Sequence, residues 1–236
     1  MRTYGQYCPI ARASEILAER WTPVILRNLL IGCRTYTEIS AGAPGLSRSL
    51  LTQRLRHLER SGIVEIHPKP TGRGGTYQLT EAGRDLWDVI MALRTWGERW
   101  LEVGDEHTNP SLVLWAWCTI YLDRDRLPPG RIVVRFEFVD QPPGNRRRWI
   151  MVDRGDAEVC KHDPGFEDDV IVETDAKTFV RWHLKQIEWA DAVRSGHIRV
   201  TGARWVAQVL PTWNRRGMPD EELRDRAIAE APTAVG

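Results

Sequence analysis

The chain has 236 residues, of which 42% are hydrophobic and 28% are charged, the balance of an ordinary globular protein. No apolar run approaches the roughly 18 residues that a membrane-spanning helix needs, and the N-terminal residues lack the apolar core of a secretory signal. We therefore expect a cytoplasmic protein with no membrane partner. The four cysteines (Cys8, Cys33, Cys118 and Cys160) contain no CxxC pair, which argues against a structural zinc site and a disulfide framework.

The net charge of +1 conceals an uneven distribution. Residues 1–104 contain 14 Lys and Arg against 10 Asp and Glu, whereas residues 105–236 contain 19 against 22. Residues 47–75 contain 6 Lys and Arg against 2 Asp and Glu. A basic excess confined to one short stretch indicates a local contact with a polyanion.

The first helices are predicted from proline, cap and glycine signals. A helix is expected to begin at Pro9, and a second one to run from Thr22, as its N-cap, to Gly32. Residues 36–39 predict a short third helix, and residues 43–45 predict a turn.

The segment LSRSLLTQRLRHLERSG, residues 46–62, carries the strongest signal. Ser47 is a good N-cap, and the three leucines at 51, 55 and 58 form one apolar stripe. The opposite face carries side chains that can donate to phosphates or base edges, none of them acidic: Arg48, Ser49, Thr52, Gln53 and Arg56. A short helix, a turn and a second helix with such a face match what insertion into the major groove of DNA requires.

Two strands, 63–67 and 76–79, are expected around a basic, glycine-rich tip at 68–75. Such a β-hairpin wing would place Lys69 and Arg73 against the phosphate backbone of double-stranded DNA. The glycines of this tip do not open a helix after a strand, so they do not form a phosphate-binding loop of the nucleotide-binding type.

Thr80 is expected to cap one long helix that runs to about Leu101. This helix has an apolar stripe too long for a small domain to cover, which indicates packing against a partner subunit or a second domain. The stripe comprises Leu86, Val89, Ile90, Leu93, Trp96 and Trp100. We predict a two-fold homodimer built from this helix and the N-terminal helix, with two recognition helices in successive major grooves.

Three segments resemble, in this order, the HxlR family of winged-helix regulators: YCPIARASEILAERWTPVILRNLL, TYTEISAGAPGLSRSLLTQRLRHLERSGIVE and TYQLTEAGRDL. The resemblance covers about residues 5–102. It implies a bacterial dimer that binds a palindromic operator, with the recognition helix at 47–61 and the wing at 63–79. The alternatives are a helical domain with a merely solvated basic face, or a winged helix used for protein contacts.

Cys8 is a candidate redox sensor. It directly precedes Pro9 at the first helix, where helix-end amides favour a thiolate. The cysteine at this position senses oxidants or electrophiles in some regulators of the HxlR type. A buried cysteine without a role is the alternative.

The polar segment 104–110 is the expected boundary between a DNA-binding and dimerisation domain, 1–104, and a second domain, 110–216. The second domain is predicted to contain a helix at 112–122, strands at 131–139, 147–152, 157–162, 169–174 and 198–201, a helix capped by Asp175, and a closing helix to about 213. This is an α+β arrangement with an antiparallel sheet and helices to one side. Residues 217–236 are expected to be a partly disordered tail.

The ending DVIVETDAKTFVRWHLKQIEWADAVRSGHIRVTGARWVAQVLP resembles the sterol carrier protein fold, with the resemblance extending over about 110–213. It implies an apolar tunnel and an apolar or amphipathic ligand. Lys185 and Glu188 depart from the pattern, because small or apolar residues there would leave a cleaner tunnel. Seven of the 11 tryptophans lie between Trp115 and Trp213, where they form a core or line a pocket.

No catalytic constellation is found. A Cys–His pair is arithmetically possible in the second domain, but the spacing of its His162, His183, His197, Cys118 and Cys160 does not support one. We expect no enzyme, metal or cofactor. Two hypotheses remain: a ligand- or redox-responsive regulator, and a carrier or enzyme for a lipid-like molecule that uses the winged helix only for dimerisation.

Overall fold

A computed structural model of the chain describes residues 3–68 and 74–229. The chain divides into two units. The first joins the residues up to Glu102 with those from Asp220 onward, and the second is Val103–Pro219. The division falls two residues before the polar segment in which the sequence analysis placed it.

The first unit begins with four helices, continues with a β-hairpin and returns to helix. Its elements are α1 (Pro9–Leu17), α2 (Thr22–Leu30), α3 (Tyr36–Ala41), α4 (Arg48–Arg60), β1 (Val64–Pro68), β2 (Gly75–Leu79), α5 (Glu81–Asp85) and α6 (Trp87–Trp100).

Local signals set most of these boundaries. Ser47 caps α4, since its Oγ accepts a hydrogen bond from the Leu50 amide at 3.3 Å. Gly32 follows the end of α2 with a φ of 104°, which a residue with a Cβ rarely adopts. The expected cap of α2 was wrong by one position: Thr22 is already helical, and the residue before the helix is Trp21 with a φ of 78°. Pro23 lies in the first turn of α2 whether Thr22 is the cap or the first helical residue.

The two strands of the hairpin pair antiparallel, from Val64 opposite Leu79 to Pro68 opposite Gly75. Gly83 of α5 lies against the start of β1, where a Cβ would collide with the carbonyl oxygen of Ile63. Lys69 and Arg73, the predicted wing contacts, lie outside the described residues.

The single long helix predicted from Thr80 to Leu101 is in fact two helices, α5 and α6. Leu86 separates them with a φ of −70° and a ψ of −5°. Because this conformation is close to helical, the spacing of apolar residues continues across the break, and the pattern could not reveal it. Ile90, placed in the exposed stripe by the sequence analysis, is instead buried in the core with Trp87 and Met91.

The second unit is α+β. Its elements are α7 (Pro110–Thr119), β3 (Ile132–Phe138), α8 (Pro143–Arg146), β4 (Arg147–Asp153), β5 (Asp156–Cys160), β6 (Val170–Thr174), α9 (Ala176–His183), α10 (Trp189–Arg194), β7 (Ile198–Gly202) and α11 (Arg204–Val209). Among the described residues, five strands form one sheet in the order β5-β4-β3-β6-β7.

The prediction of an antiparallel sheet was wrong at one pairing. β3 and β6 run parallel, from Val134 opposite Val170 to Phe138 opposite Thr174, while the other neighbours are antiparallel. Turn residues indicate the β3–β4 and β4–β5 hairpins, but they carry no information about the connection 161–169. That connection crosses to the other side of β3 and starts β6 in the same direction as β3.

The core of the second unit lies between the sheet and helices α7, α9 and α11. Its largest buried side chains are aromatic: Trp117, Phe136, Phe138, Phe179, Trp182 and Trp213. Asp175 caps α9 as predicted, with its Oδ1 accepting from the Thr178 amide at 2.7 Å. Lys185 and Glu188 are exposed and point away from this core.

Three helices within the described residues were not anticipated, and one of them is the four-residue α8 between β3 and β4. The sequence analysis missed α10, a six-residue helix between α9 and β7. The predicted tail contains α12 (Asp220–Ala229), which groups with the first unit. The expectation of partial disorder did not anticipate this helix, although the Glu, Arg, Leu and Ala residues of the segment are good helix formers. Across residues 3–68 and 74–229, no helix has the length and apolar character needed to cross a membrane.

Candidate nucleic-acid interface

The candidate interface is the outward face of α4. Leu51, Leu55 and Leu58 are fully buried, as the leucine spacing predicted. On the opposite side the structure exposes four of the five predicted contact residues and leaves the fifth, Thr52, half-buried; the exposed ones are Arg48, Ser49, Gln53 and Arg56.

The polar side chains of this face differ in whether their hydrogen-bonding groups are already engaged within the protein. Within the described residues, those of Arg48, Gln53 and Arg56 make no hydrogen bond or ion pair, so their donors are free for a ligand. The two hydroxyl groups are already engaged. Ser49 Oγ lies 3.2 Å from Ser47 Oγ, and Thr52 Oγ1 donates to the Arg48 carbonyl oxygen at 3.0 Å.

Two polar residues of α4 serve the fold instead of the surface. Arg54 pairs with Glu19 and also donates from Nε to the Arg20 carbonyl at 3.2 Å. His57 is buried, and its burial, together with the nearby arginines, lowers the pKa of the imidazole. The sequence analysis missed both, although their positions flank the leucine stripe at helical spacing.

The segment before α3 links helix α4 to the hairpin. Thr35 forms a β-bridge with Thr76, and the Tyr77 amide donates to the Arg34 carbonyl at 2.8 Å. Tyr36, the first residue of α3, donates from Oη to the Arg48 carbonyl at 3.0 Å. The first turn of α4 and strand β2 are therefore held by one short piece of chain.

An apolar strip runs along the outside of α6. Trp96 and Trp100 are 56% and 62% exposed, and Val89 and Leu93 continue the same face at i, i+4 spacing. Leu86, at the break before α6, is half-buried. Ile10 of α1 is exposed as well.

The four cysteines have different surroundings. Cys33 is buried, which raises its pKa to about 12, and burial also raises the pKa of Cys118 and Cys160. Such thiols stay protonated and react slowly. Cys8 is half-buried at the N-cap position of α1, where its carbonyl accepts from the Arg12 amide at 3.0 Å.

The second unit contains a half-buried histidine, His183. His183 Nδ1 lies 3.2 Å from Asn214 Nδ2, and its ring meets that of Tyr121 edge-on. Burial, reinforced by the charge of Arg216, lowers the pKa of His183 to about 4. Over the described ranges, no three His, Cys, Asp or Glu side chains come together as a metal site.

Comparisons with known proteins concern the first unit. The model of the HxlR-like helix-turn-helix family matches residues 16–105. The HTH-type transcriptional regulator sll1512 of Synechocystis is 36% identical over 100 residues, which are 42% of this chain and 73% of that protein. YodB of Bacillus subtilis, also named an HTH-type transcriptional regulator, is 34% identical over 42% of this chain and 89% of its own length.

Solved structures match the same share of the chain. The reduced form of YodB is 31% identical and covers 42% of this chain and 100% of its own, with a TM-score of 0.36. The redox regulator HypR in its oxidised form is 27% identical over 41% of this chain and 100% of its own, with a TM-score of 0.39. The matches to the two relatives named above span most of each relative's own length, which is enough to place this chain in a family. The chain belongs to the HxlR-like helix-turn-helix family.

Proposed function

We propose that the protein is a DNA-binding transcriptional regulator whose helix α4 contacts base edges in the major groove. One observation carries this conclusion: the outward face of α4 presents the unengaged donors of Arg48, Gln53 and Arg56, while the opposite face is buried. The relatives named as transcriptional regulators align with this same unit.

The test is selection of bound duplexes from a pool with a randomised 24-base-pair centre, followed by gel-shift measurement. A regulator enriches a palindromic sequence and binds it at least about a thousandfold more tightly than unrelated DNA. A pool that stays random after repeated rounds would contradict the proposal.

The hairpin contributes affinity without sequence preference. Lys69 and Arg73 are the expected phosphate contacts. The basic excess of the segment 47–75 supports this expectation. Replacing either residue by Ala lowers the affinity for all duplexes alike, and it reduces the slope of log K against log salt by about 1.

In this proposal the regulator is a homodimer, and the apolar strip of α6 forms its interface. The strip comprises Val89, Leu93, Trp96 and Trp100, and Leu86 lies at its edge. Four large apolar side chains on one exposed helix face are unusual for a monomer. A two-fold axis then places two copies of α4 about 34 Å apart on a palindrome.

Cys8 is proposed to be the thiol that oxidants or electrophiles modify. It is half-buried like Cys160, whereas Cys33 and Cys118 are buried, and it lies at the N-cap of α1, two residues before the exposed Ile10. Among the relatives, YodB has been solved with a quinone bound and after diamide treatment.

A second activity, binding of an apolar or amphipathic small molecule by the second unit, is supported by unpaired polar groups in its core. The indole N–H groups of Trp117 and Trp213 and the Asn214 Oδ1 are buried without a hydrogen-bond partner in the described part of the chain. Each such group costs about 1–3 kcal/mol unless a bound molecule pairs with it. The resemblance of the ending, residues 169–211, to the sterol carrier protein fold is the second reason for this proposal.

This activity is tested by titrating the full chain with dodecanoic acid, dodecanoyl-CoA and cholesterol while following tryptophan fluorescence. A regulatory ligand also changes the operator affinity, and a tenfold change requires about 1.4 kcal/mol of coupling. Ligand binding without any DNA selection would favour the carrier or enzyme alternative. No response to any of the three compounds would leave the second unit without this role.

A further inference from the structure

Thr52 lies in the centre of the proposed DNA-contacting face. It is one helical turn after Arg48 and one turn before Arg56, so the three side chains follow one line along α4. Thr52 is half-buried, whereas the two arginines that flank it are exposed.

The hydroxyl hydrogen of Thr52 is committed inside the protein. Thr52 Oγ1 donates to the Arg48 carbonyl oxygen at 3.0 Å, and the Tyr36 hydroxyl donates to the same oxygen, also at 3.0 Å. A threonine hydroxyl has one donor, so this bond leaves none for a base or a phosphate.

With the hydroxyl directed back toward the preceding turn, the methyl group takes another staggered position on the same Cβ. The major-groove edge of thymine carries a methyl group, with which an apolar side-chain group makes a favourable contact. Guanine accepts hydrogen bonds through O6 and N7, and the neighbouring arginines can donate them where Thr52 cannot.

We infer that Thr52 is a specificity-determining residue that contacts the methyl group of one thymine in each half-site through its own methyl group. The inference rests on the proposed function and refines it: the arginines and Gln53 recognise polar edges, and Thr52 recognises a methyl group.

The experiment uses the full-length protein and the duplex selected from the randomised pool. Each thymine of one half-site is replaced in turn by deoxyuridine, which lacks only the methyl group. We expect one position at which the replacement weakens wild-type binding about fourfold, the effect of one buried methyl group.

Two variants separate the methyl group from the hydroxyl. Thr52→Val keeps the methyl group and loses the hydroxyl, so its affinity and its sensitivity to deoxyuridine remain within twofold of wild type. Thr52→Ser keeps the hydroxyl and its bond to Arg48, but it loses the sensitivity at that one position. Thermal melting by circular dichroism checks that both variants fold like the wild type.

The inference is overturned if no thymine replacement affects wild-type binding, or if Thr52→Ser retains the full deoxyuridine effect. It is also overturned if Thr52→Val loses sequence preference while Thr52→Ser keeps it, because the hydroxyl would then be the contact. Failure of the proposed function is a separate result: the wild-type protein would select no sequence from the pool at all.

Discussion

Arg54 Nη2 lies 2.6 Å from Glu19 Oε2, and this ion pair joins the recognition helix to the turn between α1 and α2. The Arg54 side chain is 14% exposed, so the pair is shielded from solvent on one side. One charge of the basic segment is therefore engaged within the fold, and the proposed contact with DNA is assigned to the other basic residues.

We predict that Arg54→Met destabilises the first unit by about 1–3 kcal/mol, because it leaves the Glu19 carboxylate and the Arg20 carbonyl without their donor. Urea denaturation followed by circular dichroism measures the change. Arg56→Met is the matched control, since Arg56 is exposed on the same helix, and it leaves stability within 0.5 kcal/mol, about the limit for surface substitutions. Equal loss in the two variants would contradict a structural role specific to Arg54.

For the DNA contacts, single Ala substitutions of Arg48, Gln53 and Arg56 are expected to reduce discrimination between the selected operator and its single-base variants. A lost bidentate contact to a base changes discrimination by about 1–3 kcal/mol. Melting temperatures stay unchanged, because these side chains make no bond inside the described part of the protein. If all three variants keep the wild-type preference, α4 is not the element that recognises the sequence.

The dimer prediction concerns the outside of α6. Leu93→Ser combined with Trp96→Ser converts the dimer to a monomer, as light scattering at micromolar concentration will show, since both side chains are more than half exposed in one chain. Glu98→Gln provides the control: it changes the exposed pair of Arg94 and Glu98 on the same helix and leaves the mass unchanged. A wild-type protein that is already monomeric at this concentration would refute the interface.

Treatment with diamide is expected to release the operator from the wild-type protein and not from Cys8→Ser. Cys33→Ser keeps the wild-type response, because the buried Cys33 thiol has a pKa near 12 and remains protonated. Gel shifts with and without later reduction by dithiothreitol give the comparison. An identical diamide response of Cys8→Ser and wild type would eliminate Cys8 as the sensor.

The stability of the second unit is expected to fall as the pH drops from about 6.5 toward 4. His183 has a pKa of about 4 in the folded chain and about 6.5 when unfolded, so over this range the unfolded state binds the additional proton. The free energy of unfolding decreases by about 3 kcal/mol across the interval. Urea denaturation followed by tryptophan fluorescence measures it.

The control pair for this pH effect is His183→Gln and His197→Gln. The first removes most of the pH dependence between 6.5 and 4, whereas the second, at an exposed histidine, leaves it as in the wild type. A pH profile that does not change in His183→Gln would assign the acid sensitivity to other groups.

Features that depend on neighbouring residues could be predicted from the sequence. The Ser47 cap, the leucine stripe of α4 and the Asp175 cap each depend on residues within two helical turns, and all three are present. The strands of the second unit also appear close to their predicted positions, because alternation and turn residues mark them.

Features that depend on residues far apart in the chain could not be predicted from the sequence. The parallel pairing of β3 with β6 joins residues 36 positions apart, as in Val134 and Val170, and no local pattern specifies it. The structural role of Arg54 could not be predicted, because its partners Glu19 and Arg20 lie more than thirty residues away, in the turn between α1 and α2. The Tyr36 hydroxyl donates to the same Arg48 carbonyl oxygen as Thr52 does, and no local pattern specifies this contact between α3 and α4.

The place of α12 in the chain has a consequence for biosynthesis. The first unit begins with residues that are translated before Val103–Pro219, yet it includes a helix that is translated only after all of that segment. Its Arg224 then approaches Asp88 of α6, across more than a hundred intervening residues, at 3.9 Å. The DNA-binding unit is therefore completed only after the second unit has been translated, and a ribosome that stops before residue 220 releases a chain with the second unit entire and the first one lacking α12.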